Sequence, residues 1–128
     1  MRRSDQRRDA IFAIYQRDVT GRPLEVLLEG AKPFTRDLAL GVDAHLAEID
    51  AEIGANAHGW TIQRIAPLER AIMRVALFEI EHREEIPAPV SIDEAVSLTR
   101  RYCGAEAPGF VNGVLSSIAR GRGAEAPA

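Results

Sequence analysis

Apolar residues recur every three to four positions along most of the chain, and no stretch alternates apolar with polar residues long enough to predict a strand. The first segment reads as a helix that opens at Ser4 and carries Ala10, Ile11, Ile14 and Tyr15 on one face before Gly21, Arg22 and Pro23 end it. Leu24, Val26, Leu27 and Leu28 then predict one or two helical turns between Pro23 and Gly30. From Pro33 to Ile53 the set Leu38, Val42, Leu46, Ile49 and Ile53 keeps one helical period, which predicts the longest helix of the chain. Trp60, Ile62 and Ile65 read as a buried plug between two halves.

Pro67 suits the first position of a further helix whose stripe is Leu68, Ala71, Ile72, Val75, Ala76 and Ile80, and Pro87 and Pro89 stop it. Ser91 and Glu94 have the spacing of a capping box, opening a helix that runs to Tyr102 or Cys103. After Gly104 a last helix from about Pro108 buries Phe110, Val111, Val114, Leu115 and Ile118. The expected fold is therefore all-α, with six to seven helices in two small packed bundles, about 4–60 and 61–120, forming one unit over 1–120. The tail 121–128 is expected to be disordered.

Composition narrows the class. With 128 residues, 46% of them hydrophobic, the chain is long enough to bury a core without disulfides or metal. A single cysteine and no apolar run of about 18 residues point to a reducing, cytoplasmic setting without a membrane span. The net charge of −3 hides an uneven distribution. Residues 1–8 carry +3, residues 100–120 carry +2, and residues 9–99 carry −8. Basic ends can attract a polyanion while an acidic body attracts a basic protein. Fifteen of the sixteen basic residues are arginine, which suits bidentate phosphate contacts.

Catalytic and metal-binding signals are thin. Glu79 and His82 stand three apart, as in di-iron bundles, but the motif occurs once where two copies and two further carboxylates are needed, so a surface Glu and His near a helix end is the better reading. His45 belongs at the edge of a core and His58 in a turn. Cys103 follows two arginines at a helix C-terminus, where the dipole disfavours a thiolate. No phosphate-binding glycine loop is present. The arginines at the start remain: with a helix beginning near Ser4, Arg3, Arg7 and Arg8 make a basic ridge, and four phosphate contacts to single-stranded RNA would give a log-log salt slope of about −3. A solvated, frayed terminus with Asp5 and Asp9 interleaved explains the same residues.

The segments LERAIMRVALFE (68–79), IPAPVSIDEAV (86–96) and FVNGVL (110–115), with RRDAIFAIYQ (7–16) before them, resemble in order and spacing the NusB transcription antitermination family. The resemblance covers residues 2–120. It implies an all-helical, non-catalytic protein without a cofactor that binds the boxA element of nascent RNA. The implied partner is NusE, a small-subunit ribosomal protein, and with other Nus factors the pair helps RNA polymerase resist termination, notably in ribosomal RNA operons.

The family's RNA contacts map onto Arg2, Arg3, Arg7, Arg8, Phe110 and Asn112, with Arg101 extending the phosphate track. Its protein interface maps near Tyr15 and Glu79, with Glu81 nearby. Phe110 alone reads equally as core, and Asn112 as a local cap. The sequence departs from the family where Ser4, Asp5 and Gln6 break the arginine run, at Phe78 for a frequent Tyr, and at Asp93 for a frequent Asn. An acid at Glu106, ahead of Phe110, would temper RNA affinity by repelling phosphate. Two other readings stand beside the adaptor: the RNA-binding domain of a ribosomal RNA cytosine methyltransferase, which would carry a cofactor domain beyond Ala128, and a purely protein-binding scaffold. Monomer and homodimer are both open.

Overall fold

The computed structural model describes residues 1–123. Seven helices follow in order: α1 (Arg3–Thr20), α2 (Leu24–Leu27), α3 (Pro33–Ala44), α4 (Leu46–Asn56), α5 (Pro67–His82), α6 (Ala88–Tyr102) and α7 (Ala107–Gly121). A 3₁₀ turn, Ile62–Arg64, precedes α5, and no strand occurs among the described residues. The axis of the molecule is α5. Every residue from Ala71 to Glu79 is buried, the charged Arg74 and Glu79 included, so α5 is enclosed on all sides rather than along one stripe. The helices α1, α3, α4, α6 and α7 all pack on it, while α1 also lies on α3, and α7 on both α6 and α4.

Pro67 opens α5 as its first residue, where its missing N–H is no loss. Other boundaries differ from the sequence reading. Arg2, not Ser4, stands at the N-cap of α1, and the Ser4 hydroxyl donates instead to Glu94 on α6 at 2.8 Å. The capping box at Ser91 is likewise no cap. Pro87 and Pro89 start α6 rather than only ending what precedes them, so the helix begins at Ala88 and Ser91 lies inside it, donating to Glu79 at 3.3 Å.

The long helix expected over 33–53 is two helices. His45, at φ −116° and ψ 22°, shares its N–H between the carbonyls of Gly41 and Val42, and the helix is interrupted there. Val42 and Ile49 are seven apart, so the apolar stripe passes through the break and hides it from periodicity. The longest helix is α1, at 18 residues. Gly41 meets the Phe78 ring so closely that a Cβ would fall 2.1–2.7 Å from ring carbons. Of the expected plug only Ile65 is buried, at 3% exposure, whereas Trp60 is 51% exposed. Gly121 ends α7 and Arg122 reaches Glu52 and Glu81, so the expected disordered tail begins in ordered structure; residues 124–128 lie outside the described ones.

Candidate nucleic-acid interface

Two side-chain contacts fix how α1 lies beside α6. Ser4 meets Glu94, and Phe12 meets Tyr102 edge-on with ring centroids 5.2 Å apart. Both pairs are ninety residues apart, so the helices run parallel in constant register. Both rest on α5, whose Ile72, Val75, Ala76 and Glu79 floor the gap between them. Ser4, Arg8, Phe12 and Tyr15 follow helical spacing along the α6 side of α1.

Against this frame the four N-terminal arginines part company. Arg2 is largely exposed, 3.7 Å from Asp5. Arg8 is partly exposed on the α6 side, held loosely by Asp5 and Asp9. Arg3 leaves on the opposite flank, its guanidinium 4.6 Å from the centre of the Phe34 ring and within 4.0 Å of Glu85. Arg83 covers the same ring at 5.1 Å. Arg7 is not part of any ridge: only 4% exposed, it donates Nε and Nη2 to the two oxygens of Glu79 at 2.7 and 2.8 Å. The expected ridge is thus two separate basic flanks with a buried arginine between them.

The reason is in the register. Arg7, Ala10, Ile11 and Ile14 share the core face of α1, just as Ile72, Val75, Ala76 and Glu79 share a face of α5. A guanidinium and a carboxylate at the ends of two apolar stripes meet in bidentate geometry, the arrangement that best offsets the cost of burying both charges. Ser91 from α6 adds a third hydrogen bond to Glu79, and the Arg7 guanidinium lies 3.7 Å from Glu94. Glu79 is therefore interior, not the surface acid expected near a helix end.

On the C-terminal half the expected residues divide again. Arg101 is exposed, its guanidinium 5.3 Å from the centre of the Tyr102 ring, continuing the α1–α6 side. Phe110 is half-buried and faces Trp60 edge-on at 6.1 Å. Asn112 points elsewhere, into an open groove with Arg100, Ser97 and Asp93, and its Oδ1 accepts from Ser116. Tyr15 is half-buried against the core. Glu81 lies across α5, beside Glu52 and Arg122, where partial burial and then Glu52 raise its carboxyl above the usual range. Tyr15 and Glu81 do not come together.

Several groupings carried no sequence signal. Arg74 in α5 donates to Asp50 of α4 at 2.8 Å and to Asp18 of α1 at 2.5 Å. Burial opposes its charge, but the two aspartates outweigh that, so its pKa rises. His45 and His82 stack with centroids 4.1 Å apart, beside Phe78. Partial burial raises the Cys103 thiol, with nearby Glu69 adding to it. No three His, Cys, Asp or Glu side chains converge to hold a metal ion among the described residues, and none of the described helices is long and apolar enough to cross a membrane.

Comparison with known proteins places this architecture. The NusB family matches residues 4–120. The transcription antitermination protein NusB of Geobacillus kaustophilus is 38% identical over 124 residues, spanning 92% of this chain and 95% of the relative. That of Rubrobacter xylanophilus is 36% identical over 132 residues, covering 98% and 91%. Among solved structures, NusB of T. maritima superposes with a TM-score of 0.89 at 29% identity, covering 99% of this chain and 94% of that one. Antitermination factor NusB, in a structure with NusE and double-stranded RNA, gives 0.82 at 25% identity over 93% and 96%. The fold is the all-α NusB-like fold. The chain belongs to the NusB family of transcription antitermination proteins, and this membership makes it an antitermination factor rather than an enzyme.

Proposed function

We propose that this chain acts in antitermination by binding boxA-type single-stranded RNA along the parallel α1 and α6 helices, in company with NusE and, through it, with RNA polymerase and other Nus factors in the cytoplasm. Supporting this reading are the arginines spaced along this side: exposed Arg2 and partly exposed Arg8 at the start of α1, and exposed Arg101 at the far end of α6. Between them Phe12 and Tyr102 supply aromatic surface in the same track. Guanidinium groups along a backbone with rings between them are what an unpaired RNA strand binds. Arg3 joins from the Phe34 flank, Phe110 closes the far end, and Asn112 with Arg100 offers a side groove.

Arg7 takes a different part from its neighbours: through Glu79 it fixes the first turns of α1, and so the direction in which Arg3 and Arg8 leave the surface. Glu79 serves the protein interface in the same indirect way, while Tyr15 and Glu81 offer direct contacts to a basic partner. Whether the free form is a monomer or homodimer does not alter this assignment.

The test is binding of a short boxA-like RNA with and without NusE across a salt series, using the Arg2→Ala/Arg8→Ala pair. Wild type binds more tightly with NusE, and the double variant loses about 1.4 from the log-log salt slope, the value for two phosphate contacts to a single strand. No RNA binding in either setting overturns the proposal and leaves a protein-binding scaffold.

A further inference from the structure

Where α6 ends, the chain turns at Gly104, and between this turn and the loop ahead of α5 lies an open pocket of about 490 Å3. Its lining is largely apolar: Trp60, Phe110 and Ile65 contribute to it, and the Trp60 and Phe110 rings meet edge-on at 6.1 Å, leaving the rest of the indole surface to the pocket. Trp60, the only tryptophan in the chain, is 51% exposed. So large a ring left half in water stabilises the core little and remains free to stack. Its loop is held in place: Arg70 donates to the carbonyl oxygens of Ile62 at 3.1 Å and Ile65 at 3.4 Å.

The charged groups of the pocket say what fits. Glu69 and Glu106 both line it. Carboxylates repel phosphate but accept hydrogen bonds from the amino and imino N–H groups of a nucleobase edge. Partial burial raises the Glu69 carboxyl above its ordinary range. Arg64, at the rim, makes no ion pair among the described residues and is placed to meet a phosphate outside. The pocket also continues the α1–α6 track, because only Cys103 separates Arg101 and Tyr102, the last residues of α6, from Gly104.

We infer that this pocket is a nucleobase subsite: a single base of the bound RNA leaves its stack and lies against Trp60, its edge donating to Glu69 or Glu106 while its phosphate remains outside near Arg64. The inference rests on the RNA-binding reading above and adds to it Trp60, Arg64 and Glu69. It accounts for an exposed tryptophan beside two carboxylates, which phosphate binding alone would not.

Because Trp60 is the only tryptophan, its emission reports the site directly in the unmodified protein. Adding short single-stranded boxA-like RNA quenches that emission, with the same midpoint as the anisotropy of end-labelled RNA. Trp60→Ala weakens RNA binding by about 5- to 150-fold, the range for loss of one stacked base, while the salt slope stays unchanged because no phosphate contact is removed. Trp60→Phe keeps most of the affinity. One abasic substitution in the RNA reproduces the loss, and in the Trp60→Ala background that substitution has no further effect. Full RNA binding with unaltered Trp60 emission overturns the subsite while leaving the RNA track intact. So does a Trp60→Ala variant that binds RNA normally but loses NusE, which would assign the pocket to protein. Absence of RNA binding by wild type, with or without NusE, removes both readings together.

Discussion

The helix α5 is tied to its neighbours by two ionic nodes of different character. At Glu79 the carboxylate meets Arg7 with both side chains at most 5% exposed, Ser91 adds a hydrogen bond, and the more exposed Glu94 lies 3.7 Å from the same guanidinium. At Arg74, five residues earlier, one guanidinium bridges Asp18 and Asp50, whose side chains keep 17% and 22% exposure. Arg70 adds a second cation 3.6 Å from Asp18. The bidentate Arg7–Glu79 pair is dry, with Glu94 only at its edge; at the second node both carboxylates reach water. A dry pair must be matched or absent, because one partner left alone is a buried unpaired charge, whereas a wet node lets solvent replace what is lost.

The comparison is broken most readily at the dry node. Glu79→Ala is expected to destabilise the fold by about 3–5 kcal/mol, since the buried Arg7 guanidinium then loses both its charge-assisted hydrogen bonds and keeps only the longer contact with Glu94 at 3.7 Å. Replacing both groups, as in Arg7→Met/Glu79→Leu, should recover most of that loss, because two apolar side chains of similar length leave no charge to strand. Urea unfolding of the two variants measures the difference. A double variant no more stable than Glu79→Ala would mean that the hydrogen bonds themselves, and not the stranded charge, carry the node. At the wet node, Arg74→Ala should cost less, about 1.5–3 kcal/mol for hydrogen bonds to charged groups, because Asp18 and Asp50 can turn to water and Asp18 keeps Arg70. A loss as large as that of Glu79→Ala would erase the distinction between the nodes.

The contrast also shows what was legible in the sequence. Stripe positions showed an all-helical chain and many of its buried apolar residues, because burial on a helix follows its period, but they ran α3 and α4 together and left out Met73, Leu77 and Phe78 on the enclosed α5. Arg7 and Glu79 sit on those same stripes, three or four residues from Ala10, Ile11, Val75 and Ala76. Their positions therefore signalled an interior pair; weighing residue type above register put them on the surface. Ser4, Ser91 and Glu94 misled for a related reason: the spacing of a cap is also the spacing of one helix face, and all three face other helices. Arg74 with Asp18 and Asp50 could not be read, since pairings over 24 and 56 residues depend on how helices pack and not on any local pattern. Trp60 was misplaced because apolar character alone does not say whether a loop side chain turns inward.

A finer test separates the members of the dry node. Ser91 donates to Glu79 at 3.3 Å, long for a hydroxyl donor, while Arg7 already occupies both carboxylate oxygens. Ser91→Ala is therefore expected to cost about 1 kcal/mol in urea unfolding, because Glu79 is left satisfied. A loss near that of Glu79→Ala would show that the hydroxyl, and not the guanidinium, holds the carboxylate in place.

The smallest effect belongs to a third polar meeting, at the outer end of α5, where the rings of His82, His45 and Phe78 form one cluster. Partial burial lowers the His82 pKa, and a charge on His45 lowers it further, against a weaker opposing pull from Glu48. With the folded value below the unfolded one, the folded state binds fewer protons, so this group's contribution is present above about pH 6.5 and is lost as pH falls toward the folded value. An NMR titration of the imidazole protons should place the His82 midpoint below about 6.5. His45→Gln should raise that midpoint only part of the way, because burial against Phe78 remains. A full return to the ordinary value would make the second imidazole the whole cause, and no change would mean that the stack exerts no electrostatic effect. Unlike the node at Glu79, this one is open enough that protonation loosens a contact without stranding a charge.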